Sequence, residues 1–292
     1  MTRSVAAAGR PFREPAELAD PADPAEPAGR AEPAGPADPA GRADPESAWE
    51  VSGPAGAPSV VFVHGTRLTR SSWRAVTGFL APEFRCISLD LPAHGARARE
   101  PFTLEAAATA VEAAIDAAGG GRAVVVGHSL GGYVAMTVAE RSPARVRGLV
   151  IAGATAELHG AAAVAFRLFA WALGALPEVP VDALNSWWFR RRYPPEIAEP
   201  IIAGGYWSRG GAEAVRTIAA TTFRSRLAAY GGPTLAINGD LDLLFRLGER
   251  SFLDGIPNVT RRILPWTTHL SPMDRPEAFA SAVRAFARRL PA

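Results

Sequence analysis

Three side chains have the types and positions to act together on a substrate: Ser129, one of the pair Asp240 and Asp242, and His269. Ser129 is the centre of Gly127-His128-Ser129-Leu130-Gly131, between an apolar β-branched run at 123–126 and a helix-forming stretch. Strand, sharp turn and helix is the context in which Gly-x-Ser-x-Gly presents a nucleophile. A side chain at Gly127 or Gly131 would collide with the neighbouring strand or helix, and the strained turn pushes the serine outward. A serine hydroxyl is a weak nucleophile without a base, so a histidine must stand nearby. His64, His94 and His128 lie in turns ahead of or beside the serine and read as structural hydrogen-bonding residues. Asn238-Gly239-Asp240-Leu241-Asp242 and Pro265-Trp266-Thr267-Thr268-His269 each follow a strand-like run, so serine, acid and histidine occur in that order on successive loops. His64-Gly65-Thr66-Arg67 is a further loop of the same kind, at the strand ends where open α/β sheets place ligands.

The elements that must hold these loops are readable from periodicity. A short strand at 48–51 is followed by apolar runs at 59–63, 85–89, 123–126, 147–152, 234–237 and 260–264. Helical patterns at 71–80, 103–118, 130–141, 244–253 and 276–290 alternate with them, which implies a parallel sheet covered on both faces. Thr103 is a fair N-cap, and the glycines at 119 to 121 stop that helix. At 292 residues and 48% hydrophobic, the chain can bury a large core. Its net charge of +2 gives no footprint for nucleic acid. The basic residues are all arginine, which excludes a lysine Schiff base, pyridoxal phosphate chemistry and a Gly-Lys-Ser/Thr phosphate loop. The single cysteine, Cys86, sits in an apolar run and reads as a buried thiol without a disulfide partner. Five histidines with no Cys-x-x-Cys and no His-Glu-x-x-His define no metal site, and no cofactor is expected.

Residues 1–46 are of another composition, with Ala, Pro, Asp, Glu and Gly in low-complexity order and five arginines against nine acidic residues. Dense proline and little apolar area predict a disordered tail. No run has signal-peptide form or the length of a membrane span, so a cytoplasmic protein is expected.

Over about residues 48 to 290 the sequence resembles the α/β-hydrolase superfamily. The resemblance rests on His64-Gly65, on Leu89-Asp90-Leu91-Pro92-Ala93-His94-Gly95, on Gly127-His128-Ser129-Leu130-Gly131, and on the Asp242 and His269 loops. It implies a mostly parallel, doubly wound sheet with a helical cap inserted after the sixth strand. It also implies a serine hydrolase with Ser129 as nucleophile, His269 as base and then acid, and Asp242, three residues after Gly239, as the group that orients the imidazole. Asp240 is then a solvated turn residue, and Glu157 a reserve for the acid. The amides of Thr66 and Leu130 would hold the oxyanion. Two departures are Ala93, where relatives often have glycine, and the bulky Trp266 ahead of the histidine.

The alternation of strand and helix is suspended from 154 to 230, a stretch that resembles the helical cap of the family, which leaves 47–153 and 231–292 as the core segments. The cap is rich in aromatics, and Phe169, Trp188 and Trp266 are candidate substrate contacts. Trp187 and Trp188 with the arginines at 190 to 192 could form an amphipathic rim that admits an apolar substrate, one that could also carry negative charge. The expected partner is a small to medium, largely apolar ester, with thioesters, lactones or activated C–C bonds as neighbouring chemistries. A non-catalytic ligand receptor is the competing class.

Overall fold

Strand β2 (Ser59–Val63) reads Ser-Val-Val-Phe-Val and is buried along its whole length. Alternate side chains leave its two faces: Val61 and Val63 join one hydrophobic cluster, Val60 and Phe62 another. The same division holds on β4 (Ala123–His128), with Val125 in the first cluster and Val124 and Val126 in the second. A strand can be apolar at every position only if both faces of its sheet are covered. The cover is helical: α2 (Leu104–Ala117) and α3 (Leu130–Arg141) supply the first cluster, α1 (Arg74–Leu80) and α11 (Pro276–Arg289) the second. Each fully buried Val, Leu or Phe contributes about 1.5–3 kcal/mol.

The computed structural model describes residues 48–157 and 160–291. The tail expected at residues 1–46, and His159, lie outside the described residues. The sheet has seven strands in the order β1-β3-β2-β4-β5-β6-β7. The others are β1 (Trp49–Ser52), β3 (Arg85–Leu89), β5 (Val146–Ala152), β6 (Thr234–Gly239) and β7 (Val259–Leu264). Only β1 runs antiparallel, against β3. Every expected strand and helix of the sheet layers is present within a few residues. Thr103 caps α2 by accepting from the Ala106 amide at 3.0 Å.

The stretch without strands contains α4 (Gly160–Ala175), α5 (Glu178–Arg192), α6 (Pro195–Gly204), α7 (Ser208–Ile218) and α8 (Arg224–Tyr230). It follows β5 (Val146–Ala152), the strand after which the helical insertion is expected, and which is the fifth strand among the described residues. Helix α8 packs on α3, where Phe223 meets Tyr133. Helix α7 is seated by two glycines. A Cβ on Gly210 would lie 2.0 Å from the Ala93 carbonyl oxygen, and one on Gly211 2.8 Å from Thr66 Oγ1. A third cluster, with Leu68, Phe189, Tyr193 and Ile201, joins α5 and α6 to the loop after β2.

Candidate active site

The turn after β4 forces the geometry of Ser129. Its φ of 52° and ψ of −117° lie where an L-residue is strained. A Cβ on Gly127 would stand 2.1 Å from the Gly131 carbonyl oxygen, and one on Gly131 2.1 Å from that of Val63, so strand and helix approach as closely as the motif demands. Helix α3 begins at Leu130, directly behind the serine.

Asp242 ends the loop after β6 and precedes α9 (Leu243–Leu253), with its side chain buried. His269 lies between β7 and the short α10 (Ser271–Asp274). These loops meet the serine in one line. His269 Nδ1 is 2.8 Å from Asp242 Oδ2, and Nε2 is 2.9 Å from Ser129 Oγ. A carboxylate can only accept, so Nδ1 carries the proton and Nε2 presents its lone pair to the serine hydroxyl. Phe245 stacks on the imidazole at 4.9 Å, and Gly153, with φ of 58°, lets the backbone after β5 pass beside it. A Cβ at Gly153 would be 2.8 Å from His269 Cε1.

The amides of Thr66 and Leu130 donate to no acceptor among the described residues. Gly65 brings the first of these loops to the serine, since a Cβ there would be 3.5 Å from Ser129 Cβ. Such a pair of free N–H groups, one at a helix amino end, can hold a developing negative oxygen. The hydroxyl of Thr66 is buried and also has no partner among the described residues.

The other candidate residues have different places. His64 accepts from the Leu91 amide at Nε2 and donates from Nδ1 to the Gly65 carbonyl; His94 accepts from the Arg67 amide and donates to Pro92. His128 donates from Nε2 to the carbonyl of His269. Burial is the main cause that lowers their pKa values, to about 4 for His64 and about 3 for His94 and His128. All three are neutral buttresses of the loops. Glu157 accepts from the amides of Phe223 and Arg224 and lies outside the Ser129–His269–Asp242 line.

Asp240 does more than sit in a solvated turn: its Oδ1 accepts from the Thr267 amide at 3.0 Å and ties the acid loop to the histidine loop. Backbone donors, led by Trp266, hold its carboxyl below the usual range. Ala93 adopts a φ of 63°, a value that favours glycine, so the turn there keeps its shape despite the side chain. Trp266 also has positive φ, and its indole is turned to solvent. Trp188 packs edge-on against Phe189 and Tyr193 while staying partly exposed, and Phe169 is exposed on α4. The arginine rim is largely engaged, with Arg190 on Glu199 and Arg192 on Asp274.

Asp274 was not visible as a site residue. Its buried carboxylate accepts from Thr268 N at 2.6 Å, Thr268 Oγ1 at 2.7 Å, Tyr193 Oη at 2.8 Å and Arg192 Nη2 at 2.9 Å. It therefore fastens the end of α5 to the residue before His269. Asn238 works similarly on the other flank, accepting from Gly153 N and donating to Thr155 and Glu249. Each joins a nearby partner to others more than 80 residues away, and neither spacing is a motif that would signal the residue. Among the described residues no His/Cys/Asp/Glu group has a metal-binding arrangement, and the buried Cys86 thiol is pushed up to about 12.

The family described as "Alpha/beta hydrolase family" matches residues 60–282. The chain is similar to 3-oxoadipate enol-lactonase 1 of Acinetobacter baylyi, 24% identical over 247 residues that cover 82% of this chain and 92% of that protein. It is also similar to a pimeloyl-[acyl-carrier protein] methyl ester esterase of Neisseria meningitidis, 36% identical over 43% of this chain and 48% of the other. Among solved structures, a thermophilic esterase from Thermogutta terrifontis, malate bound, superposes with a TM-score of 0.68 at 26% identity, covering 83% of this chain and 93% of that one.

Proposed function

Because the chain belongs to the alpha/beta hydrolase family, we propose that it is a serine hydrolase that cleaves a small to medium, largely apolar carboxylic ester through an acyl-enzyme on Ser129. The observation that carries this reading is the unbroken line from Asp242 through His269 to Ser129, at 2.8 and 2.9 Å.

His269 Nε2 takes the Ser129 proton as Oγ attacks the ester carbonyl carbon. The carbonyl oxygen becomes an oxyanion held by the amides of Thr66 and Leu130, each worth roughly 3 kcal/mol in comparable sites. Collapse breaks the bond to the alkoxy oxygen, which leaves as the alcohol with the proton from His269. Water then gives a proton to His269 and attacks the acyl carbon; the second collapse releases the acid and returns the proton to Ser129. Asp242 keeps the imidazole tautomer fixed and stabilises its charged form in both halves. Residues 154–230 act as the cap over this core. Lactones are a close second class, favoured by the similarity to an enol-lactonase, because ring opening uses the same steps with the leaving oxygen still tethered.

A panel of p-nitrophenyl esters of graded chain length, thioesters and lactones tests the assignment. Wild-type protein should turn over at least one class, and Ser129→Ala should lower kcat by roughly 10⁶ with the melting temperature kept. Unchanged turnover in Ser129→Ala would remove Ser129 as nucleophile.

A further inference from the structure

Helices α4 and α5 carry unusual side chains on their outer faces. Val164, Leu168 and Trp171 stand at i, i+4 and i+7, one stripe of α4, and all three are exposed. Leu184, Trp187 and Trp188 form a similar exposed stripe on α5. The segment after β6 exposes Leu241, Leu243 and Leu247, the last at 84%, and the segment after β7 exposes Trp266 at 78%. Phe169, Leu176, Val179 and Leu244 in the same stretches are exposed as well, and outside residues 160–192 and the segments after β6 and β7 only Val51, Phe79 and Ile263 among the described residues are large, apolar and exposed. Water-exposed apolar side chains gathered in this way mark a surface that is covered in use.

All of these segments emerge at the carboxyl ends of β5, β6 and β7, the side on which Ser129 and His269 open. The His269 side chain is 35% exposed, so whatever covers this face lies across its approach. A second copy or another protein seated there would close the approach. A lipid surface would supply substrate to it. The side chains suit that occupant, since tryptophan rings favour the boundary between water and acyl chains. The charge suits it too. Helices α4 and α5 carry four arginines against two acidic residues, and Arg167 and Arg191 are exposed with no acidic partner among the described residues. Exposed arginines beside apolar stripes match anionic headgroups. No helix among the described residues is long and apolar enough to cross a membrane.

We propose that the outer face of α4 and α5, with the lip formed by Leu241, Leu243, Leu247 and Trp266, docks the protein on an anionic lipid surface. The docking stands on this geometry; that the docked surface delivers lipophilic esters to Ser129 rests on the hydrolase reading above.

Sedimentation of the full-length protein with vesicles tests it, using phosphatidylcholine alone and phosphatidylcholine mixed with phosphatidylglycerol. The wild type should pellet with the mixed vesicles, more weakly with phosphatidylcholine alone, and less as salt is raised. Each apolar side chain taken into the lipid boundary multiplies partitioning by roughly tenfold. The combined variant Trp171→Ser, Trp187→Ser, Leu247→Ser should therefore lose most of its binding, whereas Phe79→Ser, an exposed apolar residue on α1, should bind as the wild type does. A melting curve checks that the combined variant folds; if it does not, Trp187→Ser and Leu247→Ser are measured singly, each expected to weaken binding about tenfold. A wild type that stays in the supernatant with both vesicles, or variants that pellet unchanged, overturns the proposal. So does reversible self-association through the same residues that vesicles fail to displace, which would give the face to a second copy. Hydrolysis of a soluble p-nitrophenyl ester is measured alongside. Vesicle binding without hydrolysis sinks the esterase reading alone, and hydrolysis without vesicle binding sinks the docking alone.

Discussion

Asp240 and Asp242 stand two residues apart in one loop, and the backbone between them decides which one reaches the imidazole. Asp242 is buried with Oδ2 on His269 Nδ1, whereas Asp240 faces the histidine loop and takes the Thr267 amide. Replacing the first should change chemistry and replacing the second only the tie between loops. Asp242→Asn is expected to lower kcat by about 10⁴, because an amide can donate to Nδ1 and so favours the wrong tautomer. Asp240→Asn should leave kcat within about tenfold, since an amide oxygen still accepts from Thr267. It should also show in acid. A carboxyl whose folded pKa is depressed contributes stability that is present above its unfolded value and lost as pH falls through the folded one, so the variant should lose less stability than the wild type below about pH 4. Stopped-flow ester hydrolysis and acid titration of the far-UV circular dichroism check both. Ser129, His269 and the pair Asp240 and Asp242 were legible because each lies on a loop that follows a strand-like run, whereas the preference for Asp242 came from the family resemblance. The sequence did not carry the bond from Asp240 to Thr267, which depends on how two loops lie against each other.

At the scale of elements, the sheet and its covering helices were legible because β-branched runs and helical periods are written in consecutive residues. The packing of the helical insertion was not. Asp274 shows why: it joins Arg192, 82 residues away, to Thr268, six residues away, and neither spacing is a motif. Its position couples the end of α5 to the loop that carries His269. Removing the charge should strand donors on both sides. Asp274→Asn is expected to cost about 3 kcal/mol in urea unfolding, since one buried charged acceptor serves four donors. Arg192→Gln should cost under about 1 kcal/mol, because the arginine is partly exposed and screened by solvent. The kinetic consequence separates anchoring from mere stability: at a temperature where Asp274→Asn is fully folded, kcat should still fall, because Thr268 no longer fixes the approach of His269. An Asp274→Asn protein with wild-type kcat would show that the histidine loop holds its place without α5.

The whole molecule keeps three neutral histidines inside the edge where the loops converge, and that gives it a particular response to acid. His64 and His94 lie with ring centroids 5.1 Å apart, and His128 lies 5.1 Å from His269. For His64 and His94 one nitrogen accepts a backbone amide and the other donates to a carbonyl, so protonation would set N–H against N–H. Burial adds to this, and the folded values fall to about 4, about 3 and about 3. The unfolded chain takes up these protons near pH 6.5, whereas the folded one refuses them until far lower. Between those limits the unfolded state binds more protons, so stability is complete above about pH 6.5 and is lost as pH falls. Each histidine sets a limit of about 1.4 kcal/mol per pH unit, and three together reach roughly 4 kcal/mol per unit, against a typical total of 5–15 kcal/mol. Unfolding should therefore begin near pH 5. The exposed carboxylates with lowered values, Asp240, Asp254 and Glu199, act only below about pH 4, which keeps the two effects apart. Melting temperatures between pH 7 and pH 4.5 are the measurement, with His94→Gln as the comparison, because glutamine can neither charge nor compete for that proton. The wild type should lose melting temperature steeply over this range and His94→Gln less steeply, and a flat profile for the wild type would show that these three histidines accept protons without leaving the fold.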